Sequence, residues 1–244
     1  MSKVCFFTSS LQATIENDEG KYPIRILNDN NFLERLQSHW NDNSRVLMIS
    51  SDPTAHSIND FYRDIYLESF VMSDLSYKCI EIYDSRYNPN INDYDVLILA
   101  GGHTPTQNKY FSEINLKEEI KNYSGIIISI SAGSMNAADI VYAHPELEGE
   151  AIDPNYNKYL KGLGLFNKRI LPHYQDAKDM ELDGYKLIDD IALPDSYNYD
   201  FYGLEDGVYF YQENGELFLC GEAIYFNEGK MTNIGVNDAL TRIE

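Results

Sequence analysis

Residues 125–139 read GIIISISAGSMNAAD, an apolar run of strand length that breaks at Ser131 into small residues and a helix-compatible segment. A continuous apolar run bounded in this way indicates a fully buried strand. The sequence therefore predicts a strand-to-helix turn at Ser131. Turns of this kind join the strands of a parallel sheet to the helices that cover it, so the segment is typical of an α/β fold.

Similar strand-length runs alternate with helical patterns over the first 140 residues. The runs are residues 4–7, 45–50, 77–83, 95–100 and 125–130, and helical spacing of apolar residues falls within 31–40 and 58–66. This alternation predicts a mostly parallel central sheet with right-handed crossovers and helices on both faces, which is a three-layer sandwich. Loops that carry function are expected at the carboxyl edge of such a sheet.

The last third of the chain has the pattern of hairpins. Asn214-Gly215 and Glu228-Gly229 each separate two strand-like runs. Pairs of this kind between strands are typical of two-residue hairpin turns. We therefore expect antiparallel hairpins and a mixed sheet toward the carboxyl terminus. No repeat or linker interrupts the chain, so we expect a single domain spanning residues 1–244.

The charge balance excludes several classes of function. Nineteen Lys and Arg against 39 Asp and Glu give a formal net charge of −20, which repels phosphate backbones and anionic membrane surfaces. The sequence has no apolar run of about 18 residues, so neither nucleic acid nor a membrane is the expected partner. Three widely spaced cysteines, Cys5, Cys79 and Cys220, indicate buried free thiols in a reducing cytoplasm. The first residues predict a strand rather than a signal peptide.

Ser131 has the surroundings of a nucleophile elbow. Small neighbours such as Ser129 and Gly133 let strand and helix approach each other, and a helix amino terminus favours developing negative charge. The N–H of Ala132 would then point at an oxyanion. A glycine usually stands where Ser129 does, and a Ser-Ala-Gly turn also occurs in phosphate-binding or merely close-packed loops. The turn alone leaves these interpretations open.

Two further segments favour catalysis by this serine. The run 95–100 ends in Gly101-Gly102, where Gly102 is a candidate second oxyanion donor, although a glycine pair also makes a simple tight turn. His103 is a candidate to line the pocket, to bind its own backbone or to act as a base. His173 follows a short apolar run that would deliver it to the same edge of the sheet, so it is the best-placed general base for the serine hydroxyl.

These segments together resemble the serine peptidase family that contains dipeptidase E and cyanophycinase. The resemblance extends over roughly residues 45–235 and lies in Gly-Gly-His-Thr (101–104), Ser-Ala-Gly (131–133), Gly-Leu-Gly-Leu (162–165) and Pro-His-Tyr (172–174). It implies a class I glutamine amidotransferase-like fold with a flavodoxin-like core, in which serine replaces the amidotransferase cysteine. It also implies Ser131 as nucleophile, His173 as general base, and the N–H groups of Gly102 and Ala132 as oxyanion hole.

The resemblance also implies an acidic third member of the triad. In the family an Asp or Glu between the serine and the histidine orients the imidazole. Three candidates lie close together in that interval, Glu146, Glu148 and Glu150. We expect Glu148 to fill the role, because Leu147 and the turn at Gly149 can tuck its side chain inward.

The substrate implied by the resemblance is a small peptide with an amino-terminal aspartate or another acidic group, cleaved through an acyl-enzyme without metal or organic cofactor. A carboxylate requires a nearby cation, and Lys168, Arg169 and Lys178 flank His173 in the sequence. Arg169 is the expected cation, together with His103, which stands where the family has asparagine. A homodimer is compatible with the sequence.

Two other classes of function stay open at the level of sequence. One is a non-catalytic member of the same superfamily that binds a small ligand or a partner. This hypothesis is suggested by Ser129 and His103, which replace residues usual at those positions, and by the choice among three acidic triad members. The other is a phosphate-binding α/β module, because helix amino termini attract anions. The shortage of basic residues near 131–139 argues against the module.

Overall fold

A computed structural model of the protein describes residues 3–243. Its strands are β1 (Val4–Thr8), β2 (Thr14–Asn17), β3 (Gly20–Pro23), β4 (Ser44–Ile49), β5 (Tyr77–Tyr83), β6 (Val96–Leu99), β7 (Ile126–Ile130), β8 (Ile140–Tyr142), β9 (Tyr159–Lys161), β10 (Ile170–Leu171), β11 (Glu181–Leu182), β12 (Tyr185–Lys186), β13 (Phe201–Gly203), β14 (Tyr209–Glu213), β15 (Glu216–Asn227) and β16 (Lys230–Ile243). Its α-helices are α1 (Phe32–His39), α2 (His56–Met72), α3 (Thr104–Glu113), α4 (Leu116–Lys121), α5 (Ala132–Ala137), α6 (Tyr174–Ala177) and α7 (Leu193–Asp195). Shorter 3₁₀ or π-helical turns occupy Asp29–Asn31, Ile91–Asp93 and Leu187–Ala192.

The central sheet has ten strands and is parallel in the half that comes from the first 130 residues. Strands β5, β4, β6, β7 and β1 lie side by side in that order, and each neighbouring pair is parallel. Beyond β1 the sheet continues through β14, β15, β13 and β10, and β16 pairs with β15. The predicted α/β fold with a mostly parallel sheet and antiparallel carboxyl-terminal hairpins is confirmed.

Helices cover both faces of this sheet, which makes three layers. In β1, Phe7 packs with the apolar residues of α3, α4 and α5, whereas Phe6 packs with those of α1 and α2. Both rings are completely buried. Alternate residues of a strand point to opposite faces, so near-continuous apolar runs form here because both faces are covered. Burial of one such ring contributes about 1.5–3 kcal/mol to folding.

The hairpins form at the two predicted turns. Strands β14 and β15 are joined by Asn214 (φ 52°) and Gly215 (φ 81°), and β15 and β16 by Glu228 (φ 50°) and Gly229 (φ 71°). Positive φ at both central residues gives the turn twist that matches antiparallel strands. A separate hairpin of β2 and β3 lies outside the central sheet and was not predicted from the sequence.

Three further expectations from the sequence concern the thiols, the buried face of α2 and membrane-spanning helices. Cys5 and Cys220 are buried and Cys79 is half-buried, and none of the three forms a disulfide. The spacing of Ile58, Phe61, Tyr62, Ile65 and Tyr66 predicted a buried face of α2. Ile65 and Tyr66 are buried together with Phe70, but Ile58 and Phe61 at the start of the helix are exposed. Of the helices within residues 3–243, none has the length and apolar character needed to cross a membrane.

Candidate active site

Ser131 lies in the turn between β7 and α5 with an unusual backbone conformation. Its φ is 49° and its ψ is −113°, a combination that a non-glycine residue adopts only when its surroundings enforce it. The enforcing contacts are a hydrogen bond from the Ser131 N–H to the carbonyl oxygen of Thr8 (3.0 Å) and bonds from the N–H groups of Ser134 and Met135 to the Ser131 carbonyl oxygen (2.8 and 3.0 Å). The strained turn lifts the side chain toward a cleft, as in a nucleophile elbow.

Glycines bring a second loop against this turn. A Cβ at Gly133 would overlap the carbonyl oxygen of Leu99, so only glycine lets the start of α5 pack against the end of β6. Gly102 in the following loop has a φ of 148°, and a Cβ there would overlap the hydroxyl of Ser51. In the described part of the chain, no hydrogen bond uses the N–H of Gly102 or of Ala132. Both N–H groups are therefore unpaired donors within the described residues. Ala132 directly follows Ser131, and Gly102 follows Gly101, where a Cβ would lie 3.5 Å from that of Ser131.

His173 is held beside Ser131. It follows β10 in a left-handed conformation (φ 52°, ψ 41°), and its backbone N–H donates to the hydroxyl of Ser9 at 2.7 Å. The Nε2 atom of its ring lies 3.0 Å from the Oγ of Ser131. The structure therefore brings the predicted nucleophile and the predicted base within hydrogen-bonding distance, although 42 residues separate them.

The carboxylate at the other ring nitrogen belongs to Asp206. Strand β13 runs parallel to β10 with Leu171 opposite Gly203, so the turns that follow the two strands lie next to each other. The Oδ1 atom of Asp206 lies 2.9 Å from Nδ1 of His173 and 2.8 Å from the hydroxyl of Ser9. Burial raises the pKa of the Asp206 carboxyl, but the hydrogen bond and charge of His173 and the bond from Ser9 outweigh burial and leave this pKa lowered. Asp206 is thus a carboxylate at neutral pH.

The prediction of Glu148 as the acidic partner is wrong in this structure. Glu148 is exposed, Glu146 accepts a hydrogen bond from Thr104 (2.8 Å), and Glu150 pairs with His103. The resemblance implies an acidic residue between the serine and the histidine in the sequence, so acidic residues after His173 were not considered as triad members. A signal for Asp206 existed in the sequence, because the strand-like residues 201–203 end just before it.

His103 lies at the rim of the same cleft. Its Nε2 atom is 2.9 Å from Oε1 of Glu150, and its Nδ1 atom is 2.8 Å from the hydroxyl of Thr106. Both ring nitrogens therefore have partners other than Ser131. The contact ties the loop after β6 to residues 146–150, so His103 forms part of the wall of the cleft.

Glu150 stabilises this wall, and the effect should depend on pH. Its Oε2 accepts the N–H groups of Glu146 (2.8 Å) and Leu147 (3.0 Å). Burial raises the pKa of Glu150, but these bonds and His103 lower it below its ordinary value of 4.5. Because the folded-state pKa is the lower one, the stabilisation is present above the unfolded-state pKa and is lost as pH falls through the folded-state pKa.

We expect Glu150→Gln to lower the melting temperature by about 2–4 °C near pH 7, a loss of about 1 kcal/mol. The difference from wild type should begin to shrink as pH falls below the ordinary pKa of 4.5, and it should vanish once pH is below the lowered folded-state pKa, where the wild-type carboxyl is protonated. Thermal unfolding, monitored by circular dichroism at pH values from 7 to 3, measures this difference in melting temperature. A difference that grows toward low pH would contradict this explanation.

The cleft in front of Ser131 has a volume of about 520 Å³, and its walls come from the loop after β1, from α2 and from the ends of β4, β6 and β7. Apolar and aromatic side chains such as Met48 and Tyr62 alternate there with polar ones, which include the carboxylate of Asp52. His103 and His173 also line it. Among the described lining residues, Lys21 of β3 is the one lysine or arginine. Its Nζ lies 3.4 Å from the hydroxyl of Tyr62 and 3.7 Å from Oε2 of Glu16. Within residues 3–243, no group of three or more His, Cys, Asp or Glu side chains is arranged to hold a metal ion.

The predicted cation Arg169 does not line this cleft, so that prediction is wrong. Its guanidinium donates to the backbone oxygen (2.8 Å) and to Oδ1 (2.6 Å) of Asp200 and stacks on the ring of Tyr199. A nine-tenths buried arginine held in this way is part of the core. Lys178 is exposed and Lys168 is half-buried, and neither is among the residues that line the cleft.

Comparison with known proteins gives a family for most of the chain and a similar fold. The model of peptidase family S51 matches residues 27–220. A search of curated proteins finds no match. Among solved structures, a peptidase from an acI-B1 Actinobacterium is similar over 100% of this chain and 98% of its own, with a TM-score of 0.62 and 12% sequence identity. At that identity the similarity shows the fold alone.

Proposed function

The chain belongs to peptidase family S51, and from that membership we propose that it is a serine peptidase with Ser131, His173 and Asp206 as its triad. The observation that carries the proposal is the continuous contact from Oγ of Ser131 to Nε2 of His173 (3.0 Å) and from Nδ1 to Oδ1 of Asp206 (2.9 Å). A serine hydroxyl is a weak nucleophile until a neighbouring base accepts its proton, and this arrangement supplies the base.

Asp206 has a defined task in this scheme. A carboxylate at Nδ1 keeps the proton of a neutral imidazole on that nitrogen, so the lone pair of Nε2 faces the hydroxyl of Ser131. The same carboxylate stabilises the imidazolium that forms when His173 takes the serine proton. Its lowered pKa supports the task, because Asp206 stays charged over the neutral range.

The proposed reaction is acyl transfer to water. As His173 takes the hydroxyl proton, Oγ of Ser131 bonds to the carbonyl carbon of the peptide, and the carbonyl oxygen becomes an oxyanion that accepts from the N–H groups of Gly102 and Ala132. His173 then gives its proton to the leaving amine as the C–N bond breaks. In the second half a water loses a proton to His173 and bonds to the carbonyl carbon of the acyl ester. The bond between this carbon and Oγ of Ser131 then breaks, and His173 returns the proton to Oγ, which releases the acid and the free serine.

We further propose that the substrate is a small peptide with an acidic residue and that Lys21 binds its carboxylate. Lys21 supports this proposal because it is the cation among the described residues that line the cleft. Its present partner Glu16 is largely exposed, and exposed ion pairs are worth little, so a substrate carboxylate can compete for the ammonium. The three free thiols support a location in a reducing cytoplasm.

A panel of Asp-Xaa, Glu-Xaa and neutral dipeptides tests the substrate proposal. We expect Lys21→Met to lower kcat/KM for the acidic dipeptides by about 10–100-fold, the range for loss of a charge-assisted hydrogen bond. The neutral dipeptides should change by less than about twofold, because methionine keeps the apolar stem of the side chain.

Lys178→Met is the matched control for this prediction, since Lys178 is exposed and is not among the cleft residues. It should leave the whole panel unchanged. Equal cleavage of acidic and neutral dipeptides by the wild type, or an equal loss on both classes in Lys21→Met, would contradict the role of Lys21. Neither result would contradict the triad.

A further inference from the structure

Ser9 joins the backbone of His173 to the side chain of Asp206. It directly follows β1 and is completely buried. Its Oγ accepts the N–H of His173 at 2.7 Å and donates to Oδ1 of Asp206 at 2.8 Å. One hydroxyl therefore binds both partners of the imidazole–carboxylate contact, from a position 164 residues before His173.

The bond to the backbone matters because of the conformation of His173. Its left-handed φ and ψ of 52° and 41° are disfavoured for a residue with a side chain and need support from the surroundings. The hydroxyl of Ser9 supplies an acceptor for the N–H of this residue. With that N–H fixed, the direction in which the imidazole leaves the backbone is fixed as well.

The hydrogen bond from the hydroxyl of Ser9 to Asp206 holds the carboxylate that contacts the imidazole. Oδ1 of Asp206 receives both the Ser9 hydroxyl and Nδ1 of His173, so the carboxylate cannot rotate away from the ring without losing two hydrogen bonds. The backbone N–H of Asp206 donates to Oε1 of Gln175 at 3.0 Å, which holds the main chain of the same turn.

The end of β1 also holds the nucleophile. The carbonyl oxygen of Thr8 accepts the N–H of Ser131 (3.0 Å) and the hydroxyl of Ser134 (2.8 Å). Thr8 and Ser9 are consecutive. The carbonyl of Thr8 therefore holds the turn at Ser131, while the hydroxyl of the next residue, Ser9, holds the backbone of His173. This common anchor determines the distance between Oγ of Ser131 and Nε2 of His173.

We infer that Ser9 is a positioning residue for the proposed hydrolysis, acting through His173 and Asp206. The inference rests on the proposed function. Ser9 does not touch the reacting atoms. It keeps the imidazole within 3.0 Å of the nucleophile, which is the geometry that proton transfer requires.

The test is Ser9→Ala, with kcat and KM measured separately on the best dipeptide. We expect kcat to fall about 10–100-fold, because small misplacements of a catalytic group cost this much, while KM changes by less than about twofold. The rate at which a fluorophosphonate labels Ser131 should fall by a similar factor. Ser50→Ala is the control, since Ser50 is equally buried at the end of β4 and its hydroxyl has no hydrogen-bond partner within residues 3–243.

A second measurement separates positioning from a general loss of structure. In a His173→Ala background the residual activity should be the same with and without the Ser9→Ala substitution, because residues that act as a unit are not additive. A further loss in the double variant would overturn the inference, as would a kcat within twofold of wild type in Ser9→Ala. If His173→Ala itself retained full activity, the proposed triad would fail instead, so the two failures are distinguishable.

Discussion

Ser131→Ala is expected to lower kcat by about 10⁵–10⁶-fold, because removal of a triad nucleophile leaves only the contribution of binding and of the oxyanion hole. The hydroxyl is partly exposed to the cleft, and its one hydrogen-bond contact among the described residues is to His173. Its loss should therefore change the melting temperature by no more than about 2 °C. Initial rates on the dipeptide panel and a thermal melt of the same preparation measure both quantities.

Ser129→Ala is the matched control for the nucleophile. Ser129 lies two residues earlier on β7, is completely buried, and its hydroxyl has no hydrogen-bond partner in the described part of the chain. Alanine at that position should keep kcat within about threefold of wild type, because only an unpaired hydroxyl is lost. Full turnover in Ser131→Ala, or an equal loss in the two variants, would contradict the assignment of the nucleophile.

Asp206→Asn is expected to lower kcat by about 10³–10⁴-fold with little change in KM. An asparagine amide can donate to Nδ1 of His173, which favours the tautomer that carries its proton on Nε2. That tautomer cannot accept the proton of Ser131. Initial-rate kinetics of the variant on the same dipeptides, at several pH values above 6, measure the loss.

Glu148→Gln is the companion variant, because it changes the residue that sequence reasoning selected. Glu148 is exposed, so its replacement should leave kcat within about twofold of wild type. The pair of variants distinguishes the two candidate acids directly. A large loss in Glu148→Gln with normal turnover in Asp206→Asn would restore the original prediction and contradict the geometry described above.

Features that depend on neighbouring residues were predictable from the sequence. The turn at Ser131, the glycines that flank it and the two carboxyl-terminal hairpins all lie within short segments whose residue types restrict the backbone. The parallel sheet followed from the alternation of strand and helix patterns. The pairing of Ser131 with His173 followed from the sheet edge that both residues were expected to share, and the resemblance to a known family implied it as well.

Features that depend on distant packing were missed. Asp206 reaches His173 because β13 pairs with β10, and the short apolar runs before the two residues do not reveal that their strands are neighbours. Arg169 was expected in the cleft because of its position near His173, but the chain turns its side chain to Asp200. Lys21 was overlooked because the hairpin of β2 and β3 meets α2 only in the folded protein.

Labelling with a fluorophosphonate, followed by mass spectrometry of the digested protein, tests the central claim that His173 and Asp206 activate Ser131. The geometry predicts one adduct, on the peptide that contains Ser131, and none in Ser131→Ala. It also predicts labelling at least about 100-fold slower in Asp206→Asn, since the phosphonate reports activation of the nucleophile without any choice of substrate. An unlabelled wild-type protein, or an adduct on a different serine, would contradict the claim.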